Sequence, residues 1–435
     1  MTDGNTTFSH ISTGNFRWGA VDRLISPGPA PVPDPPLGPL ENFAPQGANL
    51  PTDAQRVYHG NGFNTIFRPQ NFALSPTKLP HPGTGPNDNV LELNLTSETL
   101  TFSKALGSVP NRGAQNNNAD IFLNGVPYVQ RIDDITLGRD KAVGIHFEPG
   151  VWLAVPKTEK PSEVASFVRM ASIPHGTTIN AQGVAVDPIL GPPTINAVDI
   201  TPFIIATGAR VPPTTFPSQQ SSNTDTFRLP QVLTGTAITQ ALITNPNSLL
   251  TARLAGQKIL STATLIVATN PPPPVALFGP LPPTAPTIGG GTDNIAFLQG
   301  DNNSNPASRP DENADAVAMS AIFWIETVED HITLPVRKKG AAIKETIGHD
   351  DLTVTFEGIA PIDIDKPTEM TVTYTQIQYS QLVILNFTTL GWPHVSVANL
   401  VTADVTLEAK AIEAAVAAAK STSGSPANSV AAGGR

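Results

Sequence analysis

Prolines punctuate this chain from end to end: 44 prolines and 34 glycines stand among its 435 residues. Each proline removes a backbone donor and clashes with the preceding helical turn, so a fold built on long helices is excluded. Disorder is excluded too, because 40% of the residues are hydrophobic and only 14% are charged. Many short strands joined by proline-rich loops satisfy both limits.

The formal charge of -10 repels phosphate backbones, which argues against a nucleic-acid partner. There is no cysteine, so disulfides, thiolate metal sites and thiol nucleophiles are excluded. The start MTDGNTTFSHISTG has neither a basic nor an apolar region of a leader, and no apolar run approaches a membrane span. A soluble, cytoplasmic chain is the expectation.

Taken in order, residues 1–55 read as a proline-rich arm, with SPGPAPVPDPPLGPL from Ser26. Residues 56–185 read as about seven strands in meander order. Gly60 and Gly62 mark close backbone approach before an aromatic strand, residues 90–103 read as a hairpin, and Asn124-Gly125 reads as a two-residue turn. Residues 186–291 lose the pattern and read as an insertion or lid, with one candidate strand at 260–268 and a broken helix over 240–257. Residues 292–402 resume the strands, among them Ile295–Leu298 and 352–356, and the run 382–385 lacks alternation, as expected of a strand covered on both faces. Residues 403–435 read as an alanine-rich helix followed by a small, polar, disordered tail.

The stretch from Val143 concentrates the chemistry. Val143, Ile145 and Phe147 alternate with Gly144, His146 and Glu148, the pattern of a half-buried strand, and Pro149-Gly150 then reads as a turn. The polar set reads first as a solvated face, and alternatively as two ligands on one strand face or an acid–base pair. His175 and His394 each follow a proline at the end of an apolar strand, so each imidazole is presented in few orientations. Met170 and Trp392 would add soft or flat apolar surface beside them, as an axial haem ligand requires; a hydrogen-bonded core histidine is the other reading. Arg68 reads either as a partner for a ligand carboxylate or as part of the wall. No His-Glu-x-x-His, Gly-x-Ser-x-Gly or phosphate-loop motif occurs.

The strings GNGFNTIFRP, GSVPNRG, YVQRIDD, GIHFEPGVWLAVP, RMASIPHGTTINAQG and WPHVSVANL resemble motifs of bacterial and fungal haem-binding, lipocalin-like proteins. The wider architecture is similar to nitrobindin and the fatty-acid-binding calycins, over residues 56–185 and 292–402. The resemblance implies an antiparallel calycin-type β-barrel with haem b, His394 as proximal ligand and His175 or His146 on the distal side. Peroxidase-like or nitric-oxide chemistry would follow from that haem. Two alternatives stand beside it: an iron-free carrier of small apolar ligands, and a cofactor-free isomerase or hydratase using His146 and Glu148.

Overall fold

Strand after strand pairs with the next along the chain, and the last returns to the first. The computed structural model describes residues 32–47, 50–68, 90–114, 118–212, 216–223, 228–230, 233, 237–270, 289–299, 313–349, 351–387 and 390–423. The unit Met1–Asp34 lies almost wholly outside these residues, as do His10, His81, Pro271–Pro274 and most of the expected tail. The architecture below is that of the unit Pro35–Arg435.

Ten strands form the wall: β1 Gln55–Arg68, β2 Val90–Ser103, β3 Ile121–Asp134, β4 Val143–Val155, β5 Ser166–Ile173, β6 Thr177–Leu190, β7 Lys258–Ala268, β8 Asp315–Leu334, β9 Thr368–Phe387 and β10 Leu390–Thr402. Each pairs antiparallel with its successor, and β10 closes on β1 through a register running from Tyr58 opposite Thr402 to Thr65 opposite Val395. The result is a closed, up-and-down, lipocalin-like ten-stranded barrel. An even strand number lets every pairing stay antiparallel, and closure leaves no unpaired edge in the wall.

One end of the barrel is plugged. The 3-10 turn Gly38–Asn42 carries Leu40 and, just beyond it, Phe43, both fully buried. Phe43 stacks on Phe102 of β2 at 4.4 Å and 8°, and touches Trp152 of β4 at 5.9 Å. Tyr58 donates to the Asn42 carbonyl at 2.6 Å, pinning the plug to β1. Leu37, Leu40, Phe43 and Ala44, part of the expected arm, therefore belong to the barrel's core.

The described residues between 191 and 257 wrap the outside. Their Val198, Ile200, Phe203, Phe216, Ile243 and Leu250 bury outward side chains of the wall, among them Phe63, Leu93, Trp324, Leu382 and Val397. Two short helices, α1 Gln240–Thr244 and α2 Ser248–Leu254, break at Asn245-Pro246 as the sequence suggests, and Thr239 caps α1 by accepting from the Leu242 N–H at 3.1 Å. A smaller sheet, Ala342–His349 with Leu352–Ile359 and Asp404–Thr406, packs with the terminal helix Ala409–Ser423 around Phe356 and Ile412. Among the described residues no helix is long and apolar enough to cross a membrane.

Several expected elements differ. The supposed insertion 186–291 supplies β7, a full wall strand whose bulge between Ile259 and Ser261 disrupts its alternation. The strand at 352–356 belongs to the smaller sheet rather than to the barrel. Ile295–Leu298 is not a strand: Ala296–Gln299 forms a single helical turn, and four apolar residues are too few to separate the two periods. Residues 90–103 are one strand, not a hairpin. Leu91 and Leu93 face out under the wrap, while Leu100 and Phe102 face in, so the apolar face changes side midway.

Neither Asn124-Gly125 nor Pro149-Gly150 is a turn. Gly125 lies within β3, and a Cβ there would stand 2.5 Å from the Trp152 carbonyl oxygen, so the residue serves close approach. Pro149 lies where β4 has its β3 partner, Val129, while the pairing with β5 begins only at Gly150, so no ladder donor is missing. The run 382–385 is covered on both faces as expected: Leu382 and Ile384 lie under the wrap, and Val383 and Leu385 line the interior.

Candidate ligand site

The polar face of β4 points into the barrel. Glu148 is fully buried, whereas Val143 and Phe147 are 61% and 46% exposed on the outside. The solvated polar face expected there is therefore inverted. Burial of a carboxylate is possible because partners converge on it. Arg169 of β5 donates from Nη2 to Glu148 Oε1 at 2.6 Å, Tyr128 of β3 donates its hydroxyl to the same oxygen, and His146 Nε2 lies 3.1 Å from Oε2. Arg169 Nε also donates to the Tyr128 hydroxyl at 2.9 Å, and Nη1 donates to Gln381 Oε1.

These partners set the charge states. Burial pushes the Glu148 carboxyl up, but the Arg169 guanidinium and the hydrogen bonds outweigh it and hold the pKa at about 2. Arg169 is depressed by burial and raised, in net, by Glu148 and Tyr128. Burial pushes the Tyr128 hydroxyl well above its ordinary value. Gly150 makes the arrangement possible: a Cβ there would stand 2.6 Å from the Tyr128 ring.

A second buried carboxylate lies across the floor. Glu98 of β2 accepts from the Tyr379 hydroxyl at 2.6 Å, from Thr96 at 2.9 Å and from Gln130 at 3.3 Å. Burial nevertheless raises its pKa. Gly62 leaves the space that the Glu98 carboxyl fills, which gives a reason for the second glycine of the Gly-x-Gly pair.

Above this floor is a chamber of about 190 Å³, lined by Asn64, Asn94, Gln130, Tyr379, Gln381 and Ser396 together with His146, His175 and His394. A second lobe of about 80 Å³ adds Ile173, Ile179, Leu298, Val383 and Leu385, and it shares the three histidines and Gln381. The three imidazoles singled out in the sequence thus meet in one place. His146 faces inward with Glu148, two residues along β4, and the register shifts only beyond it, at Ile145, since Ile132 pairs with His146 while Asp133 pairs with Gly144. His175 sits in the tight turn between β5 and β6, its ring centroid 5.6 Å from that of His146. His394 lies on β10 with Nε2 3.4 Å from Ser396 Oγ. Burial, and after it the neighbouring His175 and His146, lower the His394 pKa to about 3; burial lowers His175 as well. Both are neutral imidazoles at ordinary pH.

The remaining expected residues lie elsewhere. Met170 is 39% exposed on the outer face, one residue from the inward Arg169, so a single step of the strand period separates bystander from site. Trp392 stacks on Phe387 at 4.9 Å and 2°, and contacts Phe67 and Phe216 in the cluster beneath the wrap, so it adds no wall beside His394. Arg68 bridges to Glu92 at 3.4 Å across β1 and β2, and Glu92 in turn lines the chamber.

Sequence reasoning missed Tyr128, Arg169, Glu98 and Tyr379. One signal was present: a lone arginine inside the apolar run FVRMA.

Among the described residues no group of three or more histidines or carboxylates is arranged to hold a bare metal ion. A neutral, largely buried imidazole such as His394 does fit a single axial bond to a metal that brings its other ligands with it. No family model matches this chain, and no curated protein matches it.

Proposed function

We propose that this chain is a binding barrel for a small molecule, held in the chamber where His146, His175 and His394 meet. The observation that carries the reading is that convergence: three imidazoles from β4, β10 and the β5–β6 turn line a half-polar, half-apolar cavity above a fully hydrogen-bonded floor. Sites of this kind combine apolar walls with a few placed polar groups.

Haem b is the ligand that the donor set and the motif resemblance favour. His394 would hold it, being neutral and, among the described residues, hydrogen-bonded only to Ser396. Bound haem supplies an iron open to peroxide or nitric oxide. The chain's own part is to present His146 and His175 to what binds there. Glu148 fixes His146: the ionised carboxylate accepts from Nε2–H, which leaves Nδ1 as the basic nitrogen. Any proton acceptor here is therefore His146 or His175 and not Glu148, whose pKa of about 2 makes it a poor base. Protein purified with haem supplied is expected to show a Soret band that His394→Ala shifts or abolishes. A band unchanged in that variant, or no band, rejects the assignment.

A second reading, an iron-free carrier, is favoured by volume. About 190 Å³ lies below the roughly 300 Å³ at which drug-sized pockets begin, so the chamber encloses a small molecule whole and a porphyrin only in part. Mass spectrometry of solvent extracts from purified protein separates the two: a small organic compound without porphyrin supports the carrier.

A further inference from the structure

Charged groups lie at or behind the chamber's lining, and each has a charge partner or hydrogen-bonded partners within the fold. Arg169 is fully buried with Glu148 at 2.6 Å, and it is screened from the chamber by Gln381, whose Oε1 it holds. The Arg68–Glu92 pair at the lining is matched in the same way. The other polar groups that line the space are amides, hydroxyls and imidazoles. Asn64 is different. It is 6% exposed, it lines the chamber, and its Oδ1 accepts no hydrogen bond from any described residue. A buried acceptor left unpaired costs free energy that a donor from a ligand would recover.

We infer that the chamber selects an uncharged ligand end that donates a hydrogen bond, as an alcohol does, and that Glu148 is the residue that excludes carboxylates, by occupying Arg169. The inference rests on the reading that the chamber binds a ligand, and it adds the charge of the part that enters. A carboxylate would find no unmatched cation, and it would approach the buried carboxylates of Glu148 and Glu98. Remove the internal carboxylate and the same arginine, behind Gln381, is left without its counter-charge, which a carboxylate reaching past Gln381 would supply.

The test compares 1-hexanol, hexanoate and hexylammonium at pH 7 by calorimetry, with imidazole NMR shifts locating the binding. Hexanol is expected to bind the natural protein at least about tenfold more tightly than either ion, a difference of the size one good polar contact makes. Glu148→Gln is expected to raise hexanoate affinity about tenfold, and Asn64→Leu to weaken hexanol about fivefold. Hexanoate or hexylammonium binding the natural protein as well as hexanol overturns the inference and leaves the chamber's binding role standing. If none of the three binds or moves His146, His175 or His394, both fall. The comparison on the natural protein decides the matter if Glu148→Gln does not fold.

Discussion

Acid attacks two groups of the chamber in the same direction. Glu148 has a folded pKa of about 2, below its ordinary 4.5, so the stability it contributes is present above pH 4.5 and is lost as pH falls towards 2. His394 has a folded pKa of about 3, below its ordinary 6.5. The unfolded chain takes up that proton first, so stability also falls as pH drops from 6.5 towards 3. Between pH 6.5 and 4.5 the histidine dominates. Urea unfolding at pH 7 and pH 4.5 should therefore show His394→Gln losing less stability than the natural protein, by about 2 kcal/mol. An equal loss in both removes His394 from the buried, neutral set.

Glu326, buried on the outer face of β8, works in the opposite sense. Burial raises its pKa to about 7 even though Gln376 donates to it at 2.5 Å, and its Oε1 accepts nothing from the described residues. Its ionisation therefore costs stability as pH rises from 4.5 through 7. Glu326→Gln should stabilise the protein at pH 8 by up to about 3 kcal/mol and leave it nearly unchanged at pH 4.5, as read from denaturant midpoints.

At the scale of elements, the plug and the wrap do different work. Phe43 fills the closed end against Phe102 and Trp152, so Phe43→Ala should cost about 3–5 kcal/mol in unfolding free energy, measured by denaturant titration. Retention of full stability would show that the plug is dispensable. The wrap explains why some elements were hard to read from sequence. In β2 the apolar residues serve the outside first, as Leu91 and Leu93, and the inside later, as Leu100 and Phe102. A rule that assigns one apolar face per strand breaks such a strand in two. Glycine and proline misled for a related reason: Gly125 and Gly150 allow neighbouring groups to come close within long strands, work that looks like a turn in the sequence. Gly150→Val should push Tyr128 off Glu148 and destabilise the protein by roughly 1–3 kcal/mol or more, measurable by thermal unfolding.

At the scale of the whole molecule, the antiparallel barrel was legible because period-two alternation and scattered prolines leave few other folds open. The three histidines were legible because each stands at or near a strand end beside a proline or a carboxylate. What the sequence hid was polarity. At the mouth end this barrel is polar inside and apolar outside, because the wrap covers the outer face there. Glu148 therefore looked solvent-facing, Arg169 and Tyr128 passed without notice, and Met170 looked like lining. Only closure of the wall decides which face is interior. The claim on which the rest stands is that His146, His175 and His394 share one ligand chamber. Imidazole NMR of the histidine-labelled protein, recorded while haemin or 1-hexanol is added, tests it most directly. The account predicts that the signals of these three respond together while those of His59 and His331 stay still; a response confined to His59 or His331, or none at all, would contradict it.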